Sequence, residues 1–401
     1  MREWAVRLGL AAMGVALALV VGLVGLRLTG RQEALETALT PCVPAEGDWA
    51  ETVRRLVYHY RQPCHSFYWD IYPTGEFYNL ITLNNYGLHD TPLTIEKPPD
   101  TTRVLIVGDS FAQGWQVTLE EGFPYLLEQQ LNTAGGRKVE VINLSVDTFG
   151  TDRELLLYAG LGRRFQPDVV LLAFYVGNDI KDNSPALTLH ETGHYVYDPP
   201  FFTLNDRGAL QLHNTHPLPA SDFAESPAWS WLNEMIAGQA RPPPVDPPPA
   251  PPVTQEDPRR LAYPTELGLY LPEDALWREA RALTEALVLQ FAALAQAEGS
   301  RFGVLIIPDR RAVHSADWDA TVTLHPVARG ANPLTPGDRM ESFLAQHDIP
   351  ALNLTYALSG WALAHPGERA YYPGDGHFNA NGHAVVAQRT RFWLQEVGFV
   401  G

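Results

Sequence analysis

The sequence predicts an α/β fold: a three-layer sandwich around a five-stranded parallel sheet of flavodoxin-like order 2-1-3-4-5. Three observations predict it. Short apolar, β-branched runs read as strands buried on both faces. Stretches with apolar residues at helical spacing alternate with those runs. Several runs end in the Gly, Asn, Asp or Ser turns that open helices at the carboxyl edge of such sheets, where open α/β proteins hold their ligands.

The elements follow in order. Leu8 to Leu26 is an uncharged apolar run of nineteen residues, long enough to cross a hydrocarbon core as a helix. No small-x-small cleavage site follows it, and Arg27 and Arg31 come instead, so a retained anchor over residues 1–30 is expected, with the chain beyond it outside the cytoplasm. Residues 31–98 read as a stalk and lead-in, with Phe77–Leu83 as an edge strand or hairpin arm. Cys42 and Cys64, the only two cysteines, fall in this segment. In an exported chain a disulfide closing that loop is expected to contribute about 3 kcal/mol. Two free thiols would suit a cytosolic domain instead. His65 alone does not make them a zinc site.

The main α/β domain is expected over residues 99–401. Val104–Val107 reads as the first strand and stops at Gly108-Asp109-Ser110-Phe111. Val139–Asn143 reads as the second, and Asp168–Phe174 as the third, ending in Tyr175-Val176-Gly177-Asn178-Asp179. Helices are expected at Glu121–Ala134 and Thr151–Arg164. Residues 184–270 break the pattern and read as an irregular insertion with a proline tract at Pro242–Pro249, which favours extended polyproline conformations. Regular patterning resumes with a long helix at Glu273–Glu298, a fourth strand at Arg301–Ile307, a helix at Met340–His347 and a short fifth strand at Ala351–Leu354. A loop carrying Asp375-Gly376-His377 and a closing helix at Ala380–Val397 complete the domain.

A serine at the turn after a buried strand has backbone N–H groups and the positive end of a helix beside it, both suited to a developing oxyanion. Ser110 is therefore a candidate nucleophile, and equally an ordinary helix cap. Asn178 and Asp179 read as turn residues after a strand. Asp109 reads as a brace for the serine turn, and His383 as a first-turn helix residue.

In these blocks the chain resembles the SGNH/GDSL hydrolase family, in an envelope-anchored branch. Gly108-Asp109-Ser110-Phe111 matches the serine block, Gly177, Asn178 and Asp179 the Gly-x-Asn-Asp block without its spacer, and Asp375 with His377 the Asp/His block. The likeness runs from about 84 to 183 and resumes from 371 to 383. It implies Ser110 as nucleophile, His377 as its base and Asp375 as the group that orients the imidazole. It also implies an oxyanion hole from the Ser110 N–H, the Thr148 N–H and the Asn178 side-chain amide. Thr148 stands where the family usually has glycine. Asp375 and His377 are one residue apart rather than two, as in the branch that contains alginate O-acetyltransferases.

The expected function is thus a membrane-anchored serine esterase. Its substrate would be an acyl ester, acetyl among the candidates, of a carbohydrate or lipid. An O-acyltransferase acting on an envelope glycan, or a binding protein without turnover, are the alternatives. No cofactor is expected. A net charge of −17 without a basic patch argues against a nucleic-acid partner. His190-Glu191-Thr192-Gly193-His194 satisfies the His-Glu-x-x-His zinc pattern, with His213 and His216 downstream. Gly193 and the Tyr195–Pro200 run oppose the helix that zinc chemistry needs, so the match reads as chance and the segment as an exposed hairpin.

Overall fold

The computed structural model describes residues 67–71, 75–133, 136–192, 200–213, 226–237 and 264–401, with the backbone alone at 67–71 and 189–192. The apolar run at 8–26, Cys42, Cys64, His194, His216 and the proline tract lie outside the described residues. Among the described residues no helix is long and apolar enough to cross a membrane.

Nine strands are described: β1 (Phe67–Ile71), β2 (Tyr78–Thr82), β3 (Thr101–Gly108), β4 (Lys138–Asn143), β5 (Val169–Tyr175), β6 (Phe201–Leu204), β7 (Leu210–His213), β8 (Arg301–Ile307) and β9 (Ala351–Asn353). Five of them form one sheet in the order β4-β3-β5-β8-β9. Every neighbouring pair in it is parallel. This is the 2-1-3-4-5 order expected from the sequence. β2 is the expected hairpin arm, paired antiparallel with β1 in a separate two-stranded sheet.

Period-two alternation explains the three layers. On β3, Val104 and Ile106 enter one core while Leu105 and Val107 enter the other. β5 repeats this with Val169, Leu171 and Ala173 against Val170, Leu172 and Phe174. One face is covered by helices Phe123–Thr133 and Ala380–Glu396, through Phe123, Leu127, Val386 and Leu394. The other is covered by Thr151–Gly160 and Ala275–Ala297, through Leu155, Tyr158, Leu287 and Phe291. The long helix starts where Asp274 accepts the Trp277 N–H at 3.0 Å, a side-chain cap. Its leucine stripe packs as expected: Leu283, Leu287 and Leu294 are buried and Leu276 lies against them.

Two expectations need correction. The lead-in does not end at residue 98, because Tyr86, Leu88 and Leu93 are buried in the main core and Asp90 accepts the Asn143 N–H at 2.8 Å. The insertion is not irregular throughout. It holds helix Pro185–Thr192, the antiparallel hairpin β6–β7 and helix Pro227–Ala237. Phe202, Leu212, Trp229 and Leu232 are buried in the main core. Their spacing of strand and helix type was masked in the sequence by the prolines and polar residues around them. The structure also adds helices Ser315–Leu324 and Thr355–Ala364, which carry little amphipathic signal.

Arg103 shows what the sheet's lower edge depends on. Its side chain is fully buried on β3, with Nε 2.6 Å from Glu140 Oε2. Nη1 donates to the carbonyls of Ile95 and Phe165, and Nη2 to those of Thr94 and Glu96. One guanidinium thus donates to four backbone carbonyls, three in the segment before β3 and one at the end of the 3-10 turn Gly162–Phe165. Replacing it with Arg103→Leu should cost about 3–5 kcal/mol, because Glu140 and those carbonyls are left without their donor. Urea unfolding of the two proteins measures the difference, and a loss below 1 kcal/mol would refute the assignment.

Candidate active site

The serine turn is built by close packing. β3 ends at Gly108, where an added Cβ would stand 2.8 Å from Ala173 Cβ on β5. Asp109 caps the short helix Ser110–Gln113, accepting the Phe111 N–H at 2.9 Å. Its other oxygen, Oδ2, accepts from Asn178 Nδ2 at 3.1 Å. The expected brace therefore also ties the serine turn to the turn after β5. Burial, countered by the Phe111 N–H, His377 and Asn178, pushes the Asp109 carboxyl up to about 7.

Ser110 is buried, and its Oγ lies 2.7 Å from His377 Nε2. His377 Nδ1 lies 2.7 Å from Asp375 Oδ1, which also accepts the His377 backbone N–H at 3.0 Å. Asp375 therefore fixes the tautomer with hydrogen on Nδ1 and a lone pair on Nε2 facing the hydroxyl. The structure brings these three residues together from opposite ends of the chain. Gly376 between the acid and the base has φ +95, a left-handed conformation that favours glycine and folds the loop so that Asp375 reaches the ring beside it. Phe111 stacks on Tyr175 at 3.8 Å and lies 4.7 Å from the His377 ring. Burial alone would lower the His377 pKa. The Asp375 hydrogen bond and charge, with Asp109 and Asp147, outweigh it and raise the pKa above the ordinary 6.5.

Ser110, Thr148 and Asn178 line one cavity with Asp375 and His377; its volume is about 1040 Å³. Phe201 and Leu204 of β6 and Ala280 and Leu283 of the long helix line it too. The insertion and the turns carrying Ser110, Thr148 and Asn178 thus share one cavity. The loop after β4 is tied to the serine turn, since the Val146 N–H donates to Gly108 O and the Asp147 N–H to Gln113 Oε1. Thr148 in that loop has φ +65. A β-branched residue is strained there by on the order of 1–2 kcal/mol. The Arg153 guanidinium donates to the Thr148 carbonyl and helps to hold this turn.

Behind the turn lie three more buried carboxyls, Asp152, Glu154 and Asp179. Desolvation raises all three: Asp152 to about 7, Glu154 and Asp179 well above the ordinary range, with the neighbouring acids adding to the rise. Asp179 is not in the turn as read but opens the short helix Asp179–Asp182, and accepts the Tyr175 N–H at 3.0 Å.

Other singled-out residues go elsewhere. His190 and Glu191 lie on helix Pro185–Thr192, so the expected exposed hairpin is corrected. Ser184 starts this helix, its carbonyl accepting the Thr188 N–H and its Oγ the Leu187 N–H. His213 pairs with Thr203 Oγ1 at 2.8 Å across the β6–β7 hairpin. Among the described residues no group of three or more His, Cys, Asp or Glu could hold a metal ion. His383 is on the first turn of its helix, but its Nδ1 accepts the Phe123 N–H at 3.1 Å and caps a second helix. Asp147, Tyr175 and Arg310 also line the cavity. Sequence reading missed them because none belongs to a spaced motif.

No family model matches the chain, and no curated protein sequence matches it. Solved structures do match. The structure of TesA is 14% identical, covers 74% of this chain and 99% of its own, and has a TM-score of 0.37. A lipase/acylhydrolase from Enterococcus faecalis is 12% identical over 74% of this chain and 96% of its own, with a TM-score of 0.36. A GDSL-like lipase from Bacteroides thetaiotaomicron is 11% identical over 76% and 93%, with a TM-score of 0.34. Likeness at this level carries nothing about this chain's chemistry, which stands on the geometry above.

If the Asn178 amide helps to hold an oxyanion, Asn178→Ala should lower kcat by roughly 100- to 1,000-fold with little change in KM. Steady-state kinetics on an activated acetyl ester measure this, and an unchanged kcat would remove Asn178 from the site.

Proposed function

We propose that this chain is a serine esterase acting through an acyl-serine intermediate. The observation that carries the reading is the unbroken relay from Ser110 Oγ to His377 Nε2 and from His377 Nδ1 to Asp375 Oδ1, 2.7 Å at each step. Ser110 Oγ attacks the ester carbonyl carbon while its proton passes to Nε2. The oxyanion forms against the Ser110 and Thr148 N–H groups and the Asn178 amide. The intermediate collapses, the C–O bond to the alcohol breaks, and the alcohol leaves with the proton from Nε2. Water then attacks the acyl-serine, giving its proton to Nε2, and the carboxylic acid departs as Ser110 regains its hydrogen. Asp375 steadies the imidazolium throughout.

The substrate is an acyl ester of a carbohydrate or lipid. The cavity of about 1040 Å³ gives room beside Ser110 for more than an acetyl group. That room also favours a second reading, in which a sugar hydroxyl replaces water as the acceptor and the chain is an O-acyltransferase. Residues 8–26 anchor the protein, with the catalytic domain on the extracytoplasmic side and Cys42 joined to Cys64. Support for the anchor comes from the length and lack of charge of that run.

Hydrolysis of p-nitrophenyl acetate should be lost in Ser110→Ala, which should also fail to be labelled by a fluorophosphonate. In the wild type, protonated His377 cannot accept the serine proton. Because its pKa is raised, kcat/KM should climb with pH through a midpoint above 6.5 and be lost below it. Equal rates in wild type and Ser110→Ala would reject the serine mechanism. Adding a glycan acceptor and measuring acetate against acetylated sugar separates hydrolysis from transfer. The full chain should stay in the membrane fraction after a high-salt wash, and a chain lacking residues 1–30 should be released; equal partitioning of the two would remove the anchor.

A further inference from the structure

The loop that carries the acid and base of the proposed site is held by a residue from the far end of the described chain. Glu76, just before β2, accepts the Gly374 N–H at Oε1 and the Asp375 N–H at Oε2, each at 2.7 Å. Both oxygens of one carboxylate thus take successive N–H groups. Charge-assisted bonds of this kind are about twice as strong as neutral ones. The approach needs a bare backbone: a Cβ on Gly374 would stand 2.7 Å from Glu76 Oε2. Next in the chain, the buried Phe77 ring lies 5.2 Å from that of Tyr372. The Tyr372 hydroxyl donates to Gln116 O at 3.2 Å. From another element, the Arg310 guanidinium donates to the Pro373 carbonyl.

The loop needs such support. It lies between the Tyr371–Phe378 bridge partners, outside any helix or strand. Its own backbone bonds run from Tyr372 N–H to His377 O and from Gly376 N–H to Tyr372 O. Glu76 adds a bond to the N–H of Gly374 and one to that of Asp375.

We propose that Glu76 is a positioning residue for the reaction: by clamping the Gly374 and Asp375 N–H groups it sets the distance from Asp375 to His377. It touches no reacting atom and acts through the loop. The β1–β2 hairpin, which lies between the N-terminal apolar run and the main sheet, thereby becomes part of the catalytic unit. This inference rests on the esterase reading for its kinetic readout but not for its structural one.

The test uses the full chain in detergent, as wild type, Glu76→Gln and Glu76→Ala. A misplacement of about 1 Å at such a site costs on the order of 100-fold. For Glu76→Ala, kcat on p-nitrophenyl acetate should therefore fall by on the order of 10- to 100-fold, with KM held within about threefold. Glu76→Gln keeps the shape and one acceptor, and should fall between Glu76→Ala and wild type. The low-field proton resonance of His377 Nδ1–H bonded to Asp375 should move upfield or vanish in both variants. A brace with only a structural role would lower Tm and leave kcat per folded molecule and that resonance as in wild type; either result in Glu76→Gln overturns the proposal. If Glu76→Ala does not fold, Glu76→Gln decides alone. If Ser110→Ala retains wild-type turnover, the esterase reading fails, while the proton resonance still reports on the clamp.

Discussion

The close approach of β3 and β5 is the constraint from which the rest of the site follows. Val104 to Gly108 pair in parallel register with Val169 to Ala173, so the two strands end side by side. Only a hydrogen fits at Gly108 against Ala173. Because the strands run the same way, the turns that follow them leave on the same edge, and Ser110 and Asn178 become neighbours. Asp109 then couples the two turns, since one carboxylate serves the Phe111 N–H and the Asn178 amide. Widening this contact would separate Ser110 from Asn178 without touching either.

Electrostatics set a tension at the same edge. Asp109, Asp152, Glu154 and Asp179 are all buried there, and desolvation drives each of them toward the neutral form. His377 experiences the opposite balance. It is surrounded by Asp375, Asp109 and Asp147, and their charge favours the imidazolium that serine chemistry creates. Of the four buried acids, Asp109 is the one that faces the histidine: its charge raises the His377 pKa, and the imidazolium in turn opposes the rise that burial gives Asp109. Among the described residues Glu154 has no hydrogen-bond partner at either oxygen, a cost that the packing of helix Thr151–Gly160 must offset.

The readable and unreadable parts of the chain differ for physical reasons. Strands such as Val169–Tyr175 were legible because both faces are buried and apolar identity is demanded at every position. The insertion was not, because Phe202, Leu212, Trp229 and Leu232 are isolated anchors set among polar and proline residues. Thr148 illustrates a finer difficulty. Its residue type argues against a left-handed turn, and only the surrounding contacts impose φ +65 on it. Glu76 gave no signal of its own, since nothing in its neighbourhood shows that its partners lie 298 and 299 positions away.

What the sequence by itself determined was therefore the order of the parallel strands and the helices that cover them, while Ser110, Asn178, Asp375 and His377 stood out in it through a resemblance to one family's short blocks. Each is encoded locally, by apolar period, turn residues or short spacing, and local encoding survives without coordinates. The tertiary structure alone decided that the hydroxyl and imidazole stand 2.7 Å apart, that the insertion lines the cavity, and that Glu76 accepts the Gly374 and Asp375 N–H groups. Those facts depend on how distant segments pack against one another, and packing is a property of the whole chain.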